Sequence, residues 1–247
     1  LSQSFHLPAD SFVSFSFKTI TEMKNDFETK FTGWALIAGA LMLVIGWVLL
    51  PHHSGEYLVP SDFTAINQNF WPWIWLYRMH IFGWVGMGAG IVGLAAITFK
   101  EPFRAITTSG AGVLIVGTFV SALATAFYYS FGAWGIGMTM DKSPEEIQQF
   151  MDGILPITHY ITCLSRFGKV FSGAGLVLLG AGLLKFNITD KWLSIFTIVL
   201  GLTAMGLVMF IHDNYEVYKP VFYVKVVWLI ALGSTVIRKG VNLSGAK

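Results

Sequence analysis

The residues best suited to chemistry in this sequence are its histidines. Five of the six lie near the ends of apolar runs or inside them: His52 and His53, His80 with Arg78, His159 with Arg166 and Lys169, and His212 with Asp213. Lys225 adds a further cation inside an apolar run. A charge at membrane depth costs roughly 2.5–3.5 kcal/mol on insertion scales, so such residues mark function or contacts with partners by default.

Two cofactors fit these residue types. A b-type haem takes two axial imidazoles from facing helices at one depth. His80 with His159, or His80 with His212, meets that requirement, and Arg78 and Arg166 then pair with the anionic propionates. No helix carries two histidines at the separation of a stacked pair of haems, so one haem is the limit. Copper is the alternative. His159 and Cys163 are four apart and share a helix face, Met138 and Met140 lie nearby in sequence, and Met209 stands three before His212. Imidazole with thiolate and thioether ligands suits that metal. The metal set is therefore His80, His159, Cys163 and His212. Against both stands a plain packing role, because Met and Cys in apolar helices usually fill space and polar residues at span ends snorkel to the interface.

The elements that position these residues follow from composition. Of 247 residues, 54% are hydrophobic and 12% charged, against about 25% charged in soluble domains. The apolar runs are continuous, lack the two-residue alternation of barrel strands, and approach the roughly 20 residues that cross a bilayer. Six are expected, at about 33–50, 73–99, 109–134, 154–186, 191–212 and 217–237. The fold class is all-α, a polytopic bundle of about six transmembrane helices. The fourth run is too long for one crossing, so its start projects or bends at Pro156. Residues 1–31 lack the features of a secretory signal. Ile20, Met23, Phe27 and Phe31 fall on one helical face there, which suggests an interfacial amphipathic segment. Residues 32–240 form the membrane domain and 241–247 a tail.

Ten basic residues (Lys18, Lys24, Lys30, Lys100, Arg104, Lys185, Lys191, Arg238, Lys239 and Lys247) fall on one side of the spans. Lys142 and Lys219 fall on the other. That bias places both termini in the cytoplasm and the chain in the cytoplasmic membrane of a bacterium or archaeon. It also puts five of the six histidines at the outer half. Trp71, Trp73, Trp75 and Trp134 suit an outer aromatic belt. Glycines crowd the second run (Gly83, Gly86, Gly88, Gly90, Gly93) and the fourth (Gly173, Gly175, Gly180, Gly182), for tight helix packing or a flat cofactor.

A net charge of +2 points to no acidic partner and no nucleic acid. The single cysteine excludes an internal disulfide and a Cys-rich iron–sulfur site. No Walker loop, His-Glu-x-x-His or dinucleotide fingerprint occurs. Asn187-Ile-Thr and Asn242-Leu-Ser match the glycosylation pattern but fall on the inner side. The expected function is a membrane subunit of a respiratory or other electron-transfer assembly, partnered by the bilayer and by other membrane or outer-face subunits, with a haem near the outer face. The chain is expected to serve an enzyme complex rather than act as a free-standing enzyme. The alternatives are a non-catalytic anchor or accessory subunit, a copper protein, and a transporter.

Overall fold

Each apolar run becomes one helix. The computed structural model describes residues 10–49, 66, 68–98, 104–130, 135, 139, 142–211 and 215–245. The helices are α1 (Asp10–Val48), α2 (Phe70–Thr98), α3 (Arg104–Tyr129), α4 (Pro144–Lys185), α5 (Lys191–Phe210) and α6 (Tyr215–Gly245). All six contain a stretch long and apolar enough to cross a membrane, and no strand occurs among the described residues. The protein is therefore an all-helical, multi-pass membrane bundle. His52, His53, Trp134, Met138, Met140, His212 and Asp213 lie outside the described residues.

The distribution of side chains supports that environment. Large apolar groups such as Trp192, Phe210, Phe82 and Phe119 stand exposed on the outside, where lipid satisfies them. Hydroxyl groups turn inward and bond their own helix: Thr118 donates to the Leu114 carbonyl, Thr158 to Ile154 and Thr162 to Thr158. Such back-bonding satisfies a polar group where no bulk water reaches it.

α1 runs unbroken from Asp10 to Val48, with its spanning part at Phe27–Val48. Residues 10–31, within the segment expected to be interfacial, and the first span are thus one helix. α4 has 42 residues, about 63 Å at 1.5 Å per residue, and so is twice what the hydrocarbon core requires. Its start projects, as its length predicts, and the helix continues through Pro156. A capping box nucleates the projecting end: the Glu146 amide donates to the Ser143 hydroxyl, and the Ser143 amide donates back to the Glu146 carboxylate. Phe150 and Met151 then fold onto a small cluster of Ile66, Trp73, Leu76 and Tyr77. The other end of α4 closes in a tight turn. Asn187 takes a left-handed φ of 53° there, which Asn tolerates better than most residues. Thr189 buries its hydroxyl against Ser194 at 2.8 Å, so the Asn187-Ile-Thr triplet builds the α4–α5 turn.

The helices form a ring. Each packs on its neighbours in chain order, and α6 closes on α1. Four of the six seams are built on glycine. At α1–α2, a Cβ on Gly39 would stand 2.9 Å from the Gly83 carbonyl oxygen, and at α3–α4 one on Gly175 would meet the Leu114 Cα at 2.7 Å. At α4–α5, a Cβ on Gly201 would meet the Gly173 carbonyl at 2.5 Å, and at α1–α6 one on Gly233 would meet that of Gly33 at 2.6 Å. Backbones this close exclude side chains from the seam. Of the nine glycines named on α2 and α4, the tight-packing expectation holds for all but Gly88, which faces open space.

The two remaining seams depend instead on tryptophan. Trp84 on α2 donates to Thr125 on α3 at 3.0 Å, and Trp228 on α6 donates to Thr197 on α5 at 2.7 Å. The ring therefore divides into two glycine-welded units, α6–α1–α2 and α3–α4–α5, joined by these indole–hydroxyl bonds and, at α2–α3, by Arg78 Nε donating to the Tyr129 hydroxyl. Inter-helix bonds in membranes average about 0.6 kcal/mol and reach about 1.7. Trp228→Phe should lose about 1 kcal/mol of thermal stability in detergent; an unchanged melting curve would mean the seam does not rely on this bond.

Candidate functional site

Between the two units lies a cavity of about 180 Å³. One wall comes from Trp47 on α1, Tyr77, His80 and Trp84 on α2, and Tyr218, Lys219, Phe222 and Lys225 on α6. The facing wall comes from Ser121, Ala124, Thr125 and Tyr128 on α3 and Thr162, Ser165, Lys169 and Ser172 on α4. α5 contributes nothing, and the α5–α6 seam is the least extensive in the ring.

The wall residues share one depth. Counted along the helices from the lysine- and arginine-rich ends at Thr98, Lys185 and Arg238, His80, Ser172 and Lys225 stand about 20–27 Å in. The cavity is therefore at membrane depth, toward the end opposite the basic residues. Helical spacing explains how α4 supplies its wall: Thr158, Thr162, Ser165, Lys169 and Ser172 recur at intervals of four and three, one stripe along the helix.

His80 is the best-defined group. It is 4% exposed and belongs to the α2 face against α1. Gly46 makes room for it, since a Cβ there would lie 3.0 Å from His80 Cδ2. Trp47 and Tyr77 meet the imidazole edge-on at centroid separations of 5.6 and 5.9 Å. The ring hydrogen-bonds the Leu43 backbone, while Nε2 is buried without a hydrogen-bond partner. A carbonyl only accepts, so the proton sits on Nδ1 and Nε2 presents a lone pair. Ser172, 1% exposed, likewise has a buried Oγ with no partner, on the opposite unit.

Two lysines complete the site. Lys169 Nζ lies 4.6 Å from the centre of the Tyr218 ring, a cation–π contact. Lys225 is 7% exposed, and among the described residues no ion pair or hydrogen bond joins it. No Asp or Glu among the described residues lines the cavity. The arrangement is a cationic, aromatic-walled pocket with hydroxyl groups and one free imidazole lone pair.

No family model, curated protein or solved structure matches this chain.

Of the residues singled out in the sequence, the structure brings His80, Lys169 and Lys225 to the cavity. Arg78 is held at the α2–α3 seam, where its Nε donates to the Tyr129 hydroxyl at 3.3 Å and its guanidinium lies 5.0 Å from the Trp75 ring. Arg166 is half-buried and outside the cavity wall. His159 and Cys163 are both exposed, on the face of α4 turned from the cavity wall, as is Met209 on α5. His80 and His159 thus do not meet across the cavity, and His212 lies outside the described residues. Among the described residues, no three His, Cys, Asp or Glu side chains gather to hold a metal. The cavity is also below the roughly 300–1,000 Å³ of pockets for drug-sized ligands, so a haem would require the two units to part.

Trp47, Phe222, Ser165 and Ser172 were not singled out in the sequence. The α4 stripe was the available signal, because a polar line through an apolar span must face the bundle interior.

Proposed function

We propose that this chain is an integral membrane subunit of an electron-transfer assembly, and that the cavity holds the small molecule on which the assembly acts. The observation carrying this reading is the buried His80 Nε2 lone pair, presented at membrane depth in a cavity also lined by Lys225, which has no ion pair among the described residues. The large majority of buried side-chain polar atoms are hydrogen-bonded, and those that are not call for a specific explanation. A ligand satisfies both His80 and Ser172. By the charge bias of the loops, the termini face the cytoplasm and the cavity opens to the outer half. The bilayer is the first partner, and further subunits carry the remaining electron-transfer centres.

Purification from native membranes in lipid nanodiscs tests this. The expected result is co-purification of at least one subunit with a redox-active centre. A chain that purifies alone in several mild conditions, with no reducible species, contradicts it and leaves an anchor or accessory role.

A second reading is favoured by the same lone pair. A b-type haem would be held by His80 through Nε2 and by His212, with Nδ1 of His80 oriented by the Leu43 carbonyl as metal-bound imidazoles commonly are. It requires the cavity to widen. A sharp absorption band in the dithionite-reduced minus oxidised spectrum, lost in His80→Ala, would establish it.

A further inference from the structure

We infer that the cavity takes a single hydroxylated aromatic ring of the quinol class, its hydroxyl donating to His80 Nε2 and its other oxygen facing Lys225 and Ser172. The inference deepens the electron-transfer reading and rests on it for the ligand's role, though not for the ligand's fit.

Four observations define the ligand. First, His80 Nε2 is an acceptor, because the Leu43 bond fixes the proton on the other nitrogen. The ligand must therefore bring an O–H or N–H donor, which a carboxylate or a deprotonated phosphate oxygen lacks. Second, Ser172 Oγ and the Lys225 ammonium both offer donors on walls built from different units. The ligand must present a second oxygen that accepts. Third, the walls between these groups are rings. Trp47 packs against Phe222 at 5.0 Å between centroids, with Tyr77 and Trp84 alongside. Such surfaces favour an aromatic ligand stacked or edge-on. Fourth, the volume of 180 Å³ equals about six water molecules at 30 Å³ each. That admits one substituted ring.

The location agrees with a lipid-soluble ligand. The site lies at membrane depth, α5 lines none of its wall, and α5 meets α6 over the least extensive seam. A ring with a hydrocarbon tail can reach it from the bilayer with the tail remaining in lipid. The oxidised quinone carries two acceptors and no donor, so it leaves Nε2 unsatisfied. The site should therefore prefer the reduced form.

The test uses the full chain in nanodiscs and a benzoquinol bearing a ten-carbon tail, compared with its oxidised quinone and with benzoate. The expected result is saturable binding near one per chain, with the quinol bound at least about tenfold more tightly than the quinone. His80→Asn keeps a donor near the Nδ1 position and removes the Nε2 acceptor. It should lower quinol affinity about tenfold and leave quinone affinity within about threefold. Ser172→Ala, whose hydroxyl has no bond within the chain to lose, should weaken both forms. Failure of the quinol to saturate, quinol binding unaltered by both substitutions, or benzoate competing as well as the quinol would overturn the proposal. The outcome is separable from the assembly reading. Quinol binding without any redox partner would refute only the assembly, and redox partners without quinol binding would refute only the ligand.

Discussion

Gly39→Leu is expected to prevent assembly of the bundle. Gly39 is where α1 crosses α2, and a Cβ there would meet the Met87 amide nitrogen at 2.5 Å and the Gly83 carbonyl oxygen at 2.9 Å. Both obstacles are backbone, so no rotamer change relieves the clash. Overpacking a well-filled core costs about 1–3 kcal/mol when side chains can yield, and the effect here lies at or beyond the upper end. The matched control is Gly88→Ala on α2, where a Cβ meets nothing within 4 Å. Alanine is preferred over glycine in a helix by about 1 kcal/mol, so that variant should be neutral or slightly stabilised. Size-exclusion profiles after heating would separate the two. Equal behaviour would mean that the α1–α2 seam is looser than described.

Lys225→Met is expected to do two opposite things. In the ligand-free protein it should raise thermal stability, because an ammonium ion 7% exposed gives way to an apolar chain of similar length. Replacing buried charges by well-packed apolar groups is often neutral or stabilising by about 1–4 kcal/mol. In the ligand-bound protein the gain should vanish with the binding it removes. Stability sacrificed at one residue for function is the usual signature of a working site. A fall in stability without ligand would show instead that Lys225 has a carboxylate partner, for which Asp213 and Glu216 are the nearest acidic residues in sequence.

The six spans were legible because membrane crossing is written in uninterrupted apolar length, a signal that tertiary packing does not overwrite. The predicted start at residue 33 fell short of the spanning stretch at Phe27, since Phe27 and Phe31 are separated by the charged Glu28 and Lys30 and only the folded helix shows Phe27 and Phe31 on its exposed face. The glycines announced close packing, and the partners could not be named, because Gly39 meeting Gly83 depends on which helix follows which around the ring. His80 was legible as a residue too costly to bury without reason. Its proposed partner was misjudged by depth alone: His159 shares the helix with Thr162 and Ser165 but is exposed where they line the wall. Depth is set by position along a helix. Facing is set by rotation about it, and only the stripe from Thr158 to Ser172 carried that information. Trp47 and Phe222 gave no sign at all, because an aromatic residue in an apolar span is indistinguishable from its lipid-facing neighbours until the helices are placed.

The outside of this bundle faces lipid, and the cavity within it carries hydroxyl groups and lysines. Two positions on α4 at nearly one depth test this directly. Phe167 is 62% exposed on the outer surface, and Ser165 lines the cavity; they stand about 27 and 30 Å from the Lys185 end, within the hydrocarbon span. A thiol reacts as its thiolate, which forms where water and positive charge reach it and not in hydrocarbon. The measurement is the rate of modification by a small hydrophilic methanethiosulfonate reagent in nanodiscs, for Phe167→Cys and for Ser165→Cys, each in a Cys163→Ser background. The cavity thiol should react at least about tenfold faster, despite being the more buried of the two. Faster reaction at position 167 would place the outer surface of α4 in water and overturn the lipid-facing arrangement.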